Sequence, residues 1–93
     1  MTEPATTVAG SRPREVAMIR GRVVAVRIEP ADAAPSFTVQ IDDGTGRIDA
    51  VFMGRRGIPG IEPGAQVAIE GTVCASQSLP RVFNPRYELL TPA

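Results

Sequence analysis

One segment near the middle of the chain alternates apolar and polar residues on both sides of a glycine-containing turn. It reads FTVQIDDGTGRIDAVFM over residues 37–53, with the turn at DGTG, residues 43–46. A period of two is the pattern of a strand with one buried face, and glycine supplies the positive φ of tight hairpin turns. The pattern predicts a β-hairpin with these inward residues: Phe37, Val39, Ile41, Ile48, Ala50 and Phe52. Its outward residues are Thr38, Gln40, Asp42, Arg47, Asp49, Val51 and Met53.

The segment before this hairpin predicts one long strand. Residues 16–28, VAMIRGRVVAVRI, keep their apolar positions in one phase as far as Val23 and in the other phase from Val24. Such a phase change indicates a β-bulge, and Gly21 indicates a bend. Long first strands that bend and serve both halves of a closed sheet have this pattern.

The rest of the chain predicts two more strands and an insert. Residues 54–64, GRRGIPGIEPG, hold too many glycines and prolines for a regular helix. Residues 66–74 form a fourth strand, and residues 81–90 a fifth strand that Pro85 interrupts. The fold class is therefore all-β.

A long bent first strand and an insert between strands 3 and 4 favour one architecture over its competitor. We expect a five-stranded Greek-key OB-fold barrel with a short non-helical or single-turn insert, and the competing topology is an SH3-like barrel. The length of 93 residues suits one domain. Residues 1–14 have no periodicity and are expected to be a disordered N-terminal segment, with the OB-fold domain over residues 15–91.

The composition narrows the function classes. The formal net charge is zero, and all ten basic residues are arginines, as in proteins of GC-rich bacterial genomes. A neutral chain is a poor general polyanion binder, so nucleic-acid binding would need a local arginine cluster. With one cysteine, Cys74, and no histidine, neither an internal disulfide, a zinc site nor a histidine-based catalytic group is expected. No membrane span or signal peptide is visible, so a cytoplasmic protein is expected.

Several stretches resemble the OB-fold nucleic-acid-binding family of the tRNA-anticodon-binding type. They read IRGRVVAV at 19–26, FTVQIDDGTGRIDAVF at 37–52 and IEPGAQVAIEGTV at 61–73. The last strand, VFNPRYELL at 82–90, is similar to the end of the wedge OB domain of RecG-type junction helicases. That family has an Asn/His-Pro-Glu-Tyr-Glu run there, whereas this chain has Arg86 in place of the acidic residue. The helicase motor domains are absent, so no helicase activity is expected.

The resemblance implies binding of oligonucleotides across the outer face of strands 2 and 3. Arginines that could contact phosphates, with polar neighbours from the hairpin, make up the candidate binding residues: Arg20, Arg22, Thr38, Gln40, Arg47, Arg55, Arg56 and Arg81. The alternative for each arginine is a solvated side chain paired with one of these acids: Glu15, Glu29, Asp49, Glu70 or Glu88. The inward phase of Phe37 and Phe52 makes them core residues rather than stacking platforms.

Two function classes remain open from the sequence. The first is a non-enzymatic module that binds nucleic acid weakly and largely independently of sequence, with single-stranded or branched DNA preferred over RNA. The second is a protein-interaction or scaffold domain without nucleic-acid binding, which neutral charge and an outward patch of Val51, Met53 and Leu79 would favour. No catalytic residue, cofactor, metal or membrane partner is expected. Strand edges near Pro85 could pair two copies into a homodimer.

Overall fold

The computed structural model describes residues 6–30 and 35–90, and over these residues it has six β-strands and no helix. The strands are β1 (Val16–Pro30), β2 (Pro35–Asp42), β3 (Arg47–Met53), β4 (Gln66–Cys74), β5 (Arg81–Phe83) and β6 (Arg86–Leu89). The all-β prediction is confirmed. The segment between β3 and β4 consists of turns and bends, as its glycines and prolines predict. Within the described ranges no helix is long and apolar enough to cross a membrane.

Backbone pairing closes the sheet on itself. β1 pairs antiparallel with β2, and β2 with β3. β3 then pairs in parallel with β5, β5 antiparallel with β4, and β4 antiparallel with the first half of β1. This ring of pairings returns to β1, which reaches both β2 and β4 because it is 15 residues long.

The bend in β1 has the two features that the sequence predicts. The register against β2 shifts between Val23 and Ala25, which leaves Val24 as the extra residue of a β-bulge. A Cβ on Gly21 would lie 2.6 Å from the carbonyl oxygen of Asp42. Only glycine therefore lets β1 approach β2 this closely.

The insert between β3 and β4 is anchored to the same bend. Its residues Ile58 and Ile61 are buried in the core. The N–H of Gly64 donates to the carbonyl of Val23, and the N–H of Val23 donates to the carbonyl of Ala65, each at 2.8 Å. These bonds satisfy backbone groups that the bulge removes from the regular ladder.

The inward residues of the strands form the core. All six inward positions predicted for the hairpin are buried. The least exposed of the large side chains come from β1 to β5: Ile19, Val23, Val39, Ile41, Ile48, Val67, Val73 and Val82. The alternation in the sequence thus identifies the core positions of the hairpin correctly.

The predicted fifth strand is two short strands, β5 and β6, because of Asn84 and Pro85. Asn84 has a φ of 48°, a left-handed conformation that asparagine tolerates better than most residues. Its N–H donates to the carbonyl of Val51 at 2.7 Å, and its Oδ1 accepts from the N–H of Met53 at 2.8 Å. Asn84 therefore ties the break between the two strands to β3.

The described part of the N-terminal segment, residues 6–14, packs against the turn between β2 and β3. Val8 is buried with the core, at 7% exposure. Its N–H donates to Oδ2 of Asp43 at 2.7 Å, and the N–H of Ala9 donates to the Thr45 hydroxyl at 3.1 Å. One buried valine in a segment without periodicity gives no sequence signal of this packing. Residues 1–5 and 91–93 lie outside the described residues.

Candidate nucleic-acid interface

Side chains on the outer side of β1, β2, β3 and β5 lie in rows that cross the strands. Paired positions of neighbouring strands place their side chains on the same side of a sheet. We call the surface that these rows form the outer face. Its rows are Arg22–Asp42–Arg47, Ala25–Gln40–Asp49–Arg81, Arg27–Thr38–Val51–Phe83 and Glu29–Ser36–Met53.

A hydrogen-bonded group lies at the turn end of the outer face. Nε of Arg47 donates to Oδ2 of Asp42 at 3.1 Å, and Nη1 of Arg47 donates to Oε1 of Gln40 at 3.2 Å. Oδ1 of Asp42 accepts from the N–H of Gly44 at 2.7 Å. The Gly44 N–H and the Arg47 guanidinium hold the pKa of Asp42 below its ordinary value. Arg47 is thus fixed in place and partly neutralised.

The second aspartate of the turn is used to order backbone groups. Oδ1 of Asp43 accepts from the hydroxyl and N–H of Thr45, at 2.7 and 2.9 Å, and from the N–H of Gly46 at 3.2 Å. Partial burial raises the pKa of Asp43, but these bonds and that from Val8 outweigh it, so the pKa is lowered. Within residues 6–30 and 35–90, no group of three or more His, Cys, Asp or Glu side chains could hold a metal ion.

The predicted arginines fall into separate places. Arg22 lies at the edge of the outer face, where β1 pairs with both β2 and β4, and Arg20 continues from it onto the β4 side. An open groove of about 470 Å³ runs past both side chains and Asp42. Arg55 and Arg56 are exposed in the turn after β3, about 20 Å along that strand from Arg47 by strand geometry.

Of the predicted binding residues, the structure brings five together on the outer face: Arg22, Thr38, Gln40, Arg47 and Arg81. It places Arg20, Arg55 and Arg56 elsewhere. Thr38 is buried, at 6% exposure, because it lies inside its row between neighbouring strands. Val51, which the alternation also predicts at the surface, is buried to the same extent beside Phe83.

Few of the arginines are paired with acids. The described residues form two ion pairs, Arg27 with Glu29 at 3.0 Å and Arg47 with Asp42 at 3.1 Å. Arg22 and Arg81 on the outer face have no ion pair with a described acid. Pairing with acids therefore does not account for these two guanidinium groups.

Phe83 is an exposed aromatic residue whose face the sequence leaves undecided, because Pro85 interrupts the last predicted strand. It is 47% exposed and pairs in register with Val51 on the outer face. Phe37 and Phe52 are buried as predicted, and Tyr87 packs edge-on against Phe52 with ring centroids 5.5 Å apart. The signal that could have found Phe83 is the apolar Val82 beside it, because an inward Val82 makes its neighbour outward.

The burial of Asp49 is the other feature that the sequence does not predict. The alternation places Asp49 on the outward phase as a possible partner for an arginine, but it is buried, at 6% exposure. Its Oδ1 and the Nε of Arg81 are both buried without a hydrogen-bond partner in the described part of the chain. They lie at paired positions of β3 and β5.

A comparison with known families agrees with this geometry. The model of the OB-fold nucleic acid binding domain, of the tRNA anti-codon type, matches residues 17–90. No curated protein matches the chain. The match covers most of the sequence and all six observed strands except the first residue of β1. This chain therefore belongs to the OB-fold nucleic-acid-binding domain family.

Proposed function

We propose that this chain is a non-enzymatic module that binds nucleic acid across the outer face. In this proposal the closed sheet is the five-stranded barrel of the OB-fold, and β5 and β6 are the two halves of its fifth strand. One observation carries the proposal: Arg22 and Arg81, which form no ion pair with described acids, share a face with the exposed ring of Phe83. Guanidinium groups bind phosphates, and aromatic rings stack on bases.

The expected ligand is single-stranded or branched DNA rather than RNA. A ring at the surface can stack only on a base that is free of its partner strand, and each such stack contributes about 1–3 kcal/mol. We extend the proposal to branched DNA as a second ligand because of the resemblance that the sequence of residues 82–90 suggests to the wedge domain of junction helicases. Most of the affinity would come from phosphate contacts, and these do not depend on sequence.

A protein-binding role without nucleic acid is the second candidate. The zero net charge favours it, as do the exposed apolar side chains of Met53 and Phe83 on the outer face. The predicted patch of Val51, Met53 and Leu79 supports it less, because Val51 is buried. A homodimer through strand edges near Pro85 is a proposal of the same class.

Fluorescence anisotropy with labelled single-stranded DNA, forked DNA and RNA of equal length separates the two candidates. Binding should weaken as salt rises, and Arg22→Ala or Arg81→Ala should reduce both the affinity and the salt dependence, by about one released counterion each. Arg12→Ala is the matched control, since Arg12 is exposed in the N-terminal segment. If no binding is detected at protein concentrations below about 100 μM at low salt, the affinity is weaker than that of ordinary non-specific contacts. This result would reject the nucleic-acid proposal and favour a protein partner.

A further inference from the structure

The row Ala25–Gln40–Asp49–Arg81 of the outer face contains a buried carboxylate oxygen that accepts no hydrogen bond from a described residue. Asp49 is 6% exposed, and its Oδ1 has no hydrogen-bond partner among residues 6–30 and 35–90. Buried polar atoms are almost always paired, so each exception calls for an explanation. A ligand that donates a hydrogen bond to this oxygen is one such explanation.

The neighbouring strand presents the complementary atom. Nε of Arg81, a donor, is also buried without a partner in the described chain. Arg81 pairs in register with Asp49, yet the two side chains form no ion pair within 4.0 Å. An acceptor and a donor thus lie side by side across two strands, and each lacks a partner.

A second donor lies on the other side of Asp49. Gln40 pairs in register with Asp49 from β2. Its Oε1 accepts from Arg47, which leaves the amide NH₂ available as a donor. A shallow cavity of about 50 Å³ lies against Thr38, Gln40 and Asp49. Across the strands the row therefore offers donor, acceptor and donor, in that order.

We propose that this row reads the Watson–Crick edge of an unpaired uracil or thymine. Resting on the proposed function, this assigns one base position within an otherwise phosphate-driven interface. The two carbonyl oxygens of the base accept from Gln40 and Arg81, and its N3–H donates to Oδ1 of Asp49. Bases splayed out of a single strand are commonly recognised on this edge.

The other bases fit the row less well. Cytosine and adenine present an unprotonated ring nitrogen, an acceptor, where Asp49 also accepts. Guanine presents two adjacent donors, one of which would face a donor of the row. Only the acceptor–donor–acceptor edge shared by uracil and thymine complements all three side chains.

The neighbouring row supplies the stacking surface. Phe83 is the next outward residue of β5 after Arg81 and is 47% exposed. Oδ1 of Asp49 and Nε of Arg81 are both covered in the free chain, so the proposal includes a movement of the Gln40 and Arg81 side chains that admits the base. Both residues have long flexible side chains and are only partly buried, so this rearrangement is a change of rotamer rather than of backbone.

The test compares oligo(dT), oligo(dC) and oligo(dA) of equal length with oligo(U) and oligo(C), all at one salt concentration, by anisotropy. Oligo(dT) and oligo(U) should bind about tenfold tighter than the cytosine oligomers, the discrimination expected of one well-matched base edge. An equal preference for oligo(dT) and oligo(U) over the cytosine oligomers means that the chain recognises the Watson–Crick edge that thymine and uracil share. A preference for oligo(dT) over oligo(dC) alone, or for oligo(U) over oligo(C) alone, also supports the site. Either result would mean that the chain makes an additional contact, to the thymine methyl group or to the sugar.

Asp49→Leu tests the assignment of the acceptor. Leucine keeps the branched shape of the side chain but has no hydrogen-bond acceptor, and the preference for oligo(dT) over oligo(dC) should fall about tenfold. Glu29→Gln is the control, since it removes the same charge from an exposed residue of the same face and should keep the preference. Gln40→Ala is the second variant if Asp49→Leu does not fold, and it should reduce the preference with Asp49 intact.

The failures of the two proposals are distinguishable. Salt-sensitive binding of all five oligomers with equal affinity would overturn the base-reading row and leave the proposed function standing. A preference that survives both Asp49→Leu and Gln40→Ala would also overturn it. Lack of binding to every oligomer would overturn both proposals.

Discussion

Val8 and Asp43, which are 35 positions apart in the chain, are joined by a hydrogen bond of 2.7 Å from the Val8 N–H to the Asp43 carboxylate. The same carboxylate orders the turn between β2 and β3 through bonds to Thr45 and Gly46. The turn and the segment before β1 are therefore one structural unit, and this has consequences for stability.

Truncation of Val8 should destabilise the domain. Val8 is 7% exposed and belongs to the core, so Val8→Ala should lower the free energy of unfolding by about 1–3 kcal/mol. Val16→Ala is the control, because Val16 is 66% exposed and should change stability little. Urea denaturation measures both. Equal stability of the two variants would mean that the N-terminal segment is not docked in solution.

Asp43 should make the stability depend on acid. Its pKa is lowered in the folded chain, so its contribution is present above the unfolded value, about pH 4. The contribution is lost as the pH falls through the lower folded value. Denaturation between neutral pH and about pH 2 should show a shallower loss of stability for Asp43→Asn than for the unmodified chain. Parallel curves would contradict this role. The pKa of Asp42 is also lowered, but Asp42 is present in both proteins and therefore changes the pH dependence of both curves in the same direction.

Gly21 should be intolerant of a side chain. A Cβ there would lie 2.6 Å from the Asp42 carbonyl oxygen and 2.8 Å from Cγ2 of Ile41. Gly21→Ala should cost about 1–3 kcal/mol, as overpacking does. Gly57→Ala is the matched control, since a Cβ on Gly57 meets no atom within 4 Å. If the two substitutions lower the Tm of thermal unfolding equally, β1 does not approach β2 this closely in the protein.

Phe83 should contribute to binding more than to stability. Phe83→Ala should weaken single-stranded DNA binding by about 1–3 kcal/mol, the value of one stacked base. Phe83→Trp keeps an aromatic surface and should retain most of the affinity, whereas Phe83→Leu should behave like alanine. Anisotropy titrations compare them. An affinity that follows apolar area, with leucine equal to tryptophan, would contradict stacking.

The strands could be predicted because alternation reports local geometry. The period of two over residues 37–53 identifies the buried face, and the phase change at Val23 and Val24 identifies the bulge, since both depend only on neighbours in the sequence. The burial of Asp49 could not be predicted in this way. It depends on β5, which reaches β3 from a distant part of the chain and pairs with it in parallel.

The candidate interface was predictable only in part. Arg22, Gln40 and Arg47 could be assigned to one face from the phase of their strands. Arg55 and Arg56 could not be located, because a segment of turns has no periodicity from which to infer direction. Phe83 was missed because Pro85 obscured the phase of the last strand.

The central claim is that nucleic acid binds the outer face, and amide chemical-shift mapping during titration with oligo(dT) tests it most directly. We expect the largest shifts at Gln40, Asp49, Arg81 and Phe83, with small changes at β6 on the other side of β4. Shifts concentrated on β6, or no shifts at saturating DNA, would contradict it.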